Sequence, residues 1–291
     1  MFETLVGIIG GSGLYDISEL EHQEWQTVDT PWGVPSDQLL FGSIRGTKLV
    51  FLPRHGRGHR FSPSTINYRA NVDALKRCGV TEIVSLSACG SLNENIEPGT
   101  FVLVDQFIDR TFARASSFFS DGIVAHVSMS RPVADRLVIS LNEALSQWDI
   151  PRVLGGTYLC IEGPQFSTYA ESTLYREWGC DVIGMTNMPE AKLAREAEIP
   201  YATVAMVTDF DCWHPDHDDV QMDDILKVMK KNTAQAQKLI VEFVTEFPRQ
   251  RDVCESGADR ALDGAIVTAR DSWDPHLIRR LDAVAGRIIK G

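Results

Sequence analysis

Apolar, β-branched runs recur at 5–9, 48–52, 83–87, 101–104, 157–161, 182–185 and 201–207, each of a length that suits one buried strand. Between several of them the apolar positions step by three and four instead. Segment 67–77 carries Ala70, Val72, Ala74 and Leu75, and 132–148 places Leu137, Leu141, Ala144, Leu145 and Trp148 on one face. Shorter helices are predicted over 170–178 and 189–198. The longest covers 222–247, with Ile225, Leu226, Met229, Leu239, Ile240, Phe243 and Val244 at helical spacing. This alternation predicts an α/β fold, a single domain over 1–247 with a mixed central β-sheet flanked by helices. The polar stretch 248–258 reads as a linker. Within 259–291, Asp274 and Pro275 supply an N-cap and a first-turn proline ahead of Leu277, Ile278, Leu281, Val284 and Ile288. A C-terminal helical extension is predicted there, packed on the domain or on a neighbouring subunit.

Composition narrows the function without naming it. The 291 residues can bury one large core. With 28 Lys and Arg against 40 Asp and Glu, the net charge is −12, which argues against a general nucleic-acid binder because a phosphate backbone demands a basic footprint. A small anionic substrate stays compatible, since a pocket can be positive within an acidic whole. No window approaches 18 uninterrupted apolar residues, and the first Lys or Arg is Arg45. Neither a transmembrane helix nor the charged start of a secretory signal is therefore expected. Six cysteines without a C-x-x-C pair suit reduced thiols in a cytoplasmic protein better than a disulfide framework or a zinc site.

Ligands of open α/β sheets gather outside strand ends, so the residues that follow strands carry most weight. Gly10-Gly11-Ser12-Gly13 follows the first strand and fits a tight turn or an anion cradle equally; its spacing is neither a dinucleotide fingerprint nor a P-loop. Arg54 and His55 follow the second, in a basic cluster with Arg57, His59 and Arg60 that is either a solvated loop or an anion site. Ser87-Ala88-Cys89-Gly90 offers close backbone amides, with Cys89 read as a small buried residue and not a nucleophile. Phe166 has the shape to stack on a flat ring and Met185 to cover a sugar face, although each alone is more often core. Asp209 and Asp211 end the last apolar run two residues apart, which on an extended chain puts them on one side. The carboxylates and histidines from 209 to 219 also raise a metal-dependent hydrolase as a rival, though no calcium-loop or H-E-x-x-H spacing is present and a charged surface loop explains 214–219 more cheaply.

Taken together, nine collinear motifs over about residues 5–247 resemble the nucleoside phosphorylase family, in its trimeric purine branch. They are Gly-Gly-Ser-Gly-Leu (10–14), Asp-Thr-Pro-Trp-Gly-Val-Pro-Ser-Asp (29–37), Arg-His-Gly (54–56), Asn-Tyr-Arg-Ala-Asn (67–71) and Ala-Cys-Gly-Ser-Leu (88–92). The remainder are Asp-Gln-Phe-Ile-Asp-Arg-Thr (105–111), Ile-Glu-Gly-Pro-Gln-Phe-Ser (161–167), Gly-Met-Thr (184–186) and Thr-Asp-Phe-Asp-Cys-Trp (208–213). The resemblance implies phosphorolysis of a purine nucleoside, with inorganic phosphate as co-substrate and no metal or organic cofactor. It implies phosphate contacts from Ser12, Arg54, His55, Ser87, Ala88 and Thr186. It puts Met185 against the ribose, and Phe166, Thr208, Asp209 and Asp211 at the purine. Ser167, Met222 and Leu226 would set the 5′ pocket, and His126 would reach a neighbouring subunit's site in a homotrimer. Asp209 is then the acid to purine N7, assisted by Asp211. A carboxyl group accepts from a 6-amino group while offering a proton, which predicts adenine-type bases, with a 6-oxopurine phosphorylase as the alternative. Apolar Met222 and Leu226 suit a methylthio group better than a 5′-hydroxyl. Position 184 departs from the asparagine of animal members.

Overall fold

The computed structural model describes residues 2–11, 13–214 and 222–290, with 2, 222–224 and 251 as backbone only. Its strands are β1 (Phe2–Glu3), β2 (Val6–Gly10), β3 (Glu21–Gln26), β4 (Leu39–Ile44), β5 (Thr47–Pro53), β6 (Glu82–Ser91), β7 (Phe101–Leu103), β8 (Gln106–Asp109), β9 (Arg152–Leu154), β10 (Thr157–Cys160), β11 (Val182–Gly184), β12 (Tyr201–Asp209) and β13 (Gln250–Arg251). Its helices are α1 (Tyr68–Arg77), α2 (Asp135–Ser146), α3 (Tyr169–Glu177), α4 (Asn187–Glu196), α5 (Met222–Glu246), α6 (Pro275–Arg280) and α7 (Gly286–Ile289). Strands β2 to β12 form one mixed sheet of 11 strands. β12 is buried from Tyr201 to Thr208, which is why it reads as a continuous apolar run and not as an alternation.

Helices cover both faces. α1 and α4 pack with β2, β6 and the C-terminal residues Leu277, Leu281 and Val284 in one core cluster. The other cluster packs α2 and α5 through Leu137, Leu141, Leu239, Ile240 and Phe243. Local chemistry sets the helix starts: Asn67 accepts from the Ala70 amide ahead of α1, and Thr168 and Glu171 form a reciprocal capping box ahead of α3.

β6 is the pivot of the sheet. β12 runs parallel along one side of it almost throughout. On the other side β2 pairs with Glu82 to Ser85, whereas β11 takes Gly90 and Ser91 in the antiparallel sense. Residues 86–89 lie between these two partners, so the sheet opens there and exposes β6 backbone to a cleft. The predictions change in detail: β1, β3, β4, β8, β9 and β13 were not anticipated, and the single C-terminal helix is two short ones separated by a turn.

Candidate active site

The cleft at the partner change holds a cavity of about 640 Å³, within the range of small-molecule sites. Its walls come from the ends of β2, β5, β6, β11 and β12, the loop after β10, and α5. Arg54, His55, Ser87, Ala88, Phe166, Ser167, Met185, Thr186, Thr208, Asp209 and Asp211, singled out from sequence, all line it. Ser12 lies outside the described residues, as do the Met222 side chain and positions 215–219 of the acidic cluster.

At one end stand the anion candidates. Arg54 is 2 % exposed and turned side-on to Glu190, with Nε 2.8 Å from Oε2 and Nη2 3.2 Å from Oε1. Nη2 also donates to Ser85 Oγ and Nη1 to the Leu86 carbonyl, leaving one Nη1 hydrogen for a ligand. Glu190 is held in turn by Ser85 and Tyr201 hydroxyls, and Asn187 bonds to Tyr201 and Thr203. His55 Nδ1 lies 2.8 Å from the Phe61 carbonyl. A carbonyl only accepts, so Nδ1 carries the hydrogen. Burial pushes the His55 imidazole down to about 4, against the Phe61 bond and with the Arg54 charge adding to the drop. The ring is neutral at pH 7, and its Nε2 is unprotonated. Ser87 Oγ and Thr186 Oγ1 stand 3.1 Å apart on the same wall.

At the other end two carboxyl groups converge, though not by strand periodicity. β12 bulges at Thr208 and ends at Asp209, and Asp211 sits in the following turn. Both reach the same corner because position 90 has no side chain: a Cβ at Gly90 would lie 3.0 Å from Asp209 Oδ2 and 3.5 Å from Asp211 Cβ. Burial pushes the Asp209 carboxyl up to about 6; the Thr208 hydrogen bond opposes this and the Asp211 charge adds to it. Asp211 is also raised by burial, while accepting from Ser172 Oγ at 2.5 Å. Ser167 Oγ, on the same cavity wall, is buried without a hydrogen-bond partner among the described residues, as a donor waiting for a ligand would be. Cys89 is buried and its thiol is pushed well up, so it is packing and not a nucleophile.

Two expected residues stand elsewhere. Leu226 is half exposed and off the cavity wall; Ile225 and Met229 take the apolar position from α5. His126 is exposed beside the Ala125–Ile266 bridge, away from this chain's cavity. Sequence reasoning missed Glu190, which carries no motif, and gave His59 no separate role, although its ring stacks on His55 at 4.1 Å and lines the cavity. Among the described residues no group of three His, Cys, Asp or Glu could hold a metal ion.

The phosphorylase superfamily model matches residues 5–245. The chain is 59% identical over 291 residues to S-methyl-5′-thioadenosine phosphorylase of Bradyrhizobium diazoefficiens, covering 100% of both. It is 58% identical to the enzyme of that name from Rhodospirillum rubrum, covering 99% of this chain and 98% of the relative. Among solved structures, a methylthioadenosine phosphorylase from an antarctic soil metagenomic library superposes with a TM-score of 0.92 at 46% identity, over 97% of this chain and 99% of that one. The Schistosoma mansoni methylthioadenosine phosphorylase in complex with adenine gives 0.84 at 36% identity, over 91% and 99%.

Proposed function

This chain belongs to the phosphorylase superfamily, and we propose that its cavity converts S-methyl-5′-thioadenosine and phosphate to adenine and 5-methylthioribose 1-phosphate. The carrying observation is a two-ended cavity, with Arg54, Ser87 and Thr186 at one end and a protonatable Asp209 at the other. Phosphate oxygen attacks the anomeric carbon as the bond to purine N9 breaks, and the bonding pair leaves with the base. Positive charge grows on the sugar and negative charge on the purine. The bound anion stabilises the first, and Asp209 gives a proton to N7 to relieve the second. Asp211, held by Ser172, and Ser167 fix the exocyclic amine and the ring edge. Phe166 stacks on the purine and Met185 lies against the ribose. Ile225 and Met229, with Met222 beside them in sequence, make an apolar surround for the methylthio group.

Phosphate and these side chains supply every group the displacement needs, so the proposal includes no metal or organic cofactor. The working unit is a cytoplasmic homotrimer in which His126 completes a neighbour's 5′ pocket. Supporting this, Phe112, Tyr169, Leu174 and Trp178 are exposed apolar side chains on segments next to the cavity loop that carries Phe166. A substrate panel tests the reaction: adenine release should require phosphate and survive a chelator. Release without phosphate overturns phosphorolysis, and faster release of hypoxanthine from methylthioinosine overturns the 6-amino preference.

A further inference from the structure

Gly184 lies on the cavity wall, and a neighbouring strand explains why it has no side chain. β10 and β11 run parallel with Cys160 opposite Gly184, and Tyr158 of β10 is completely buried beside them. A Cβ at position 184 would lie 1.8 Å from Tyr158 Oη and 2.6 Å from Cζ. The phenol therefore fills the volume that any side chain at 184 would need. A buried phenol O–H must find an acceptor. Among the described residues its partner is Ser87 Oγ at 3.4 Å, and Ser87 Oγ lies 3.1 Å from Thr186 Oγ1. Burial raises the phenol well above its ordinary value, so it stays protonated and its hydrogen is available to Ser87 Oγ. Ser87 has one hydroxyl hydrogen. Accepting from Tyr158 leaves that hydrogen for Thr186, for the Ala88 carbonyl 3.3 Å away, or for a ligand in the cavity that both residues line.

We infer that Tyr158 is a positioning residue for the anion end of the site: its phenol orients the Ser87 hydroxyl toward Thr186 and phosphate, and it holds position 184 to glycine. The inference rests on the assignment of Ser87 and Thr186 as phosphate ligands, and the test separates the two. Steady-state kinetics with phosphate and nucleoside varied independently should be measured for Y158F, S87A and the double variant. Y158F keeps the ring and removes the hydroxyl. It should raise the phosphate KM roughly two- to tenfold, the worth of one hydrogen bond, with the nucleoside KM unchanged and Tm lowered by no more than about a few degrees. S87A should raise the phosphate KM further, and the double variant should match S87A, because the phenol acts through Ser87. An unchanged phosphate KM in Y158F beside a raised one in S87A overturns the positioning role, as do effects that simply multiply in the double variant. An unchanged phosphate KM in S87A overturns the phosphate assignment itself. For the steric half, G184A should lose stability and G184A/Y158V should recover it; a G184A protein as stable as the wild type overturns that half.

Discussion

Gly90 lets two carboxyl groups share one corner of the site, and the chain incurs a stability cost for burying them. Burial raises the Asp209 carboxyl to about 6 in the folded state, against an ordinary value of 3.8. The fold thus favours its neutral form. Stability from this group falls as pH rises from about 4 to about 6, and the deficit is complete above that. Asp209→Asn removes the deficit, so the variant should be about 1–3 kcal/mol more stable than wild type at pH 7.5 and no more stable at pH 4. Its turnover of 6-aminopurine substrate should drop by ~10²–10⁴-fold. Denaturant midpoints at the two pH values, beside rates, check this; equal stability at both removes burial as the source of the shift. In the intact enzyme, kcat/KM should decline as pH rises through the Asp209 range, and the Asn variant should lose that limb. The sequence placed Asp209 and Asp211 in the site but gave the wrong reason for their convergence. A bulge at Thr208 and a turn achieve it, and neither has a signature that residue spacing reveals.

At the scale of elements, the anion end depends on α4 as much as on the strands. Glu190 from that helix ties Arg54 to Ser85 and Tyr201, joining β5, β6, α4 and β12 through one buried network. Glu190→Gln strands a buried guanidinium without its counter-charge, and should destabilise the fold by about 3–5 kcal/mol. Thermal or chemical unfolding measures it; a loss below 1 kcal/mol would mean that Arg54 finds another partner. The strands that build the cavity were legible because each is an apolar run with small or polar residues at its end. β3 was not: its sequence, Glu-His-Gln-Glu-Trp-Gln, is mostly exposed and among the described residues pairs only with β4, so hydrophobicity carries no trace of it. α5 was legible as a helix, but its cavity side was placed one residue out. Ile225, Leu226 and Met229 share helical spacing, and only the packing of α5 on β12 decides that Leu226 faces away.

For the molecule as a whole, the question is whether residues beyond 248 are an accessory. By sequence they read as a linker and a helical extension packed on the domain or on a neighbouring subunit. In the structure their apolar side chains lie in the main cores. Leu262, Leu277, Leu281, Val284 and Ala285 are all nearly or completely buried with α1 and α4, and Cys254 and Ala258 with α2 and α5. Polar ties reinforce this: Arg287 pairs with Glu198 after α4, and Arg77 of α1 pairs with Asp282. Each pair keeps one half-exposed partner, Arg287 or Asp282, and pairs that reach solvent in this way contribute little, so the apolar burial decides the outcome. At roughly 1.5–3 kcal/mol for each fully buried large apolar side chain, Leu262, Leu277, Leu281 and Val284 together contribute on the order of 6–12 kcal/mol, an upper estimate before chain entropy. That is comparable with the whole stability of a typical domain, about 5–15 kcal/mol. Truncation after residue 258 should therefore yield insoluble protein or a chain without a cooperative unfolding transition. Leu281→Ala, which removes one of these side chains at a position that does not line the cavity, should cost about 2–5 kcal/mol while leaving the nucleoside and phosphate KM values of the folded fraction unchanged. A soluble, active truncated chain would show that the segment is an appendage after all.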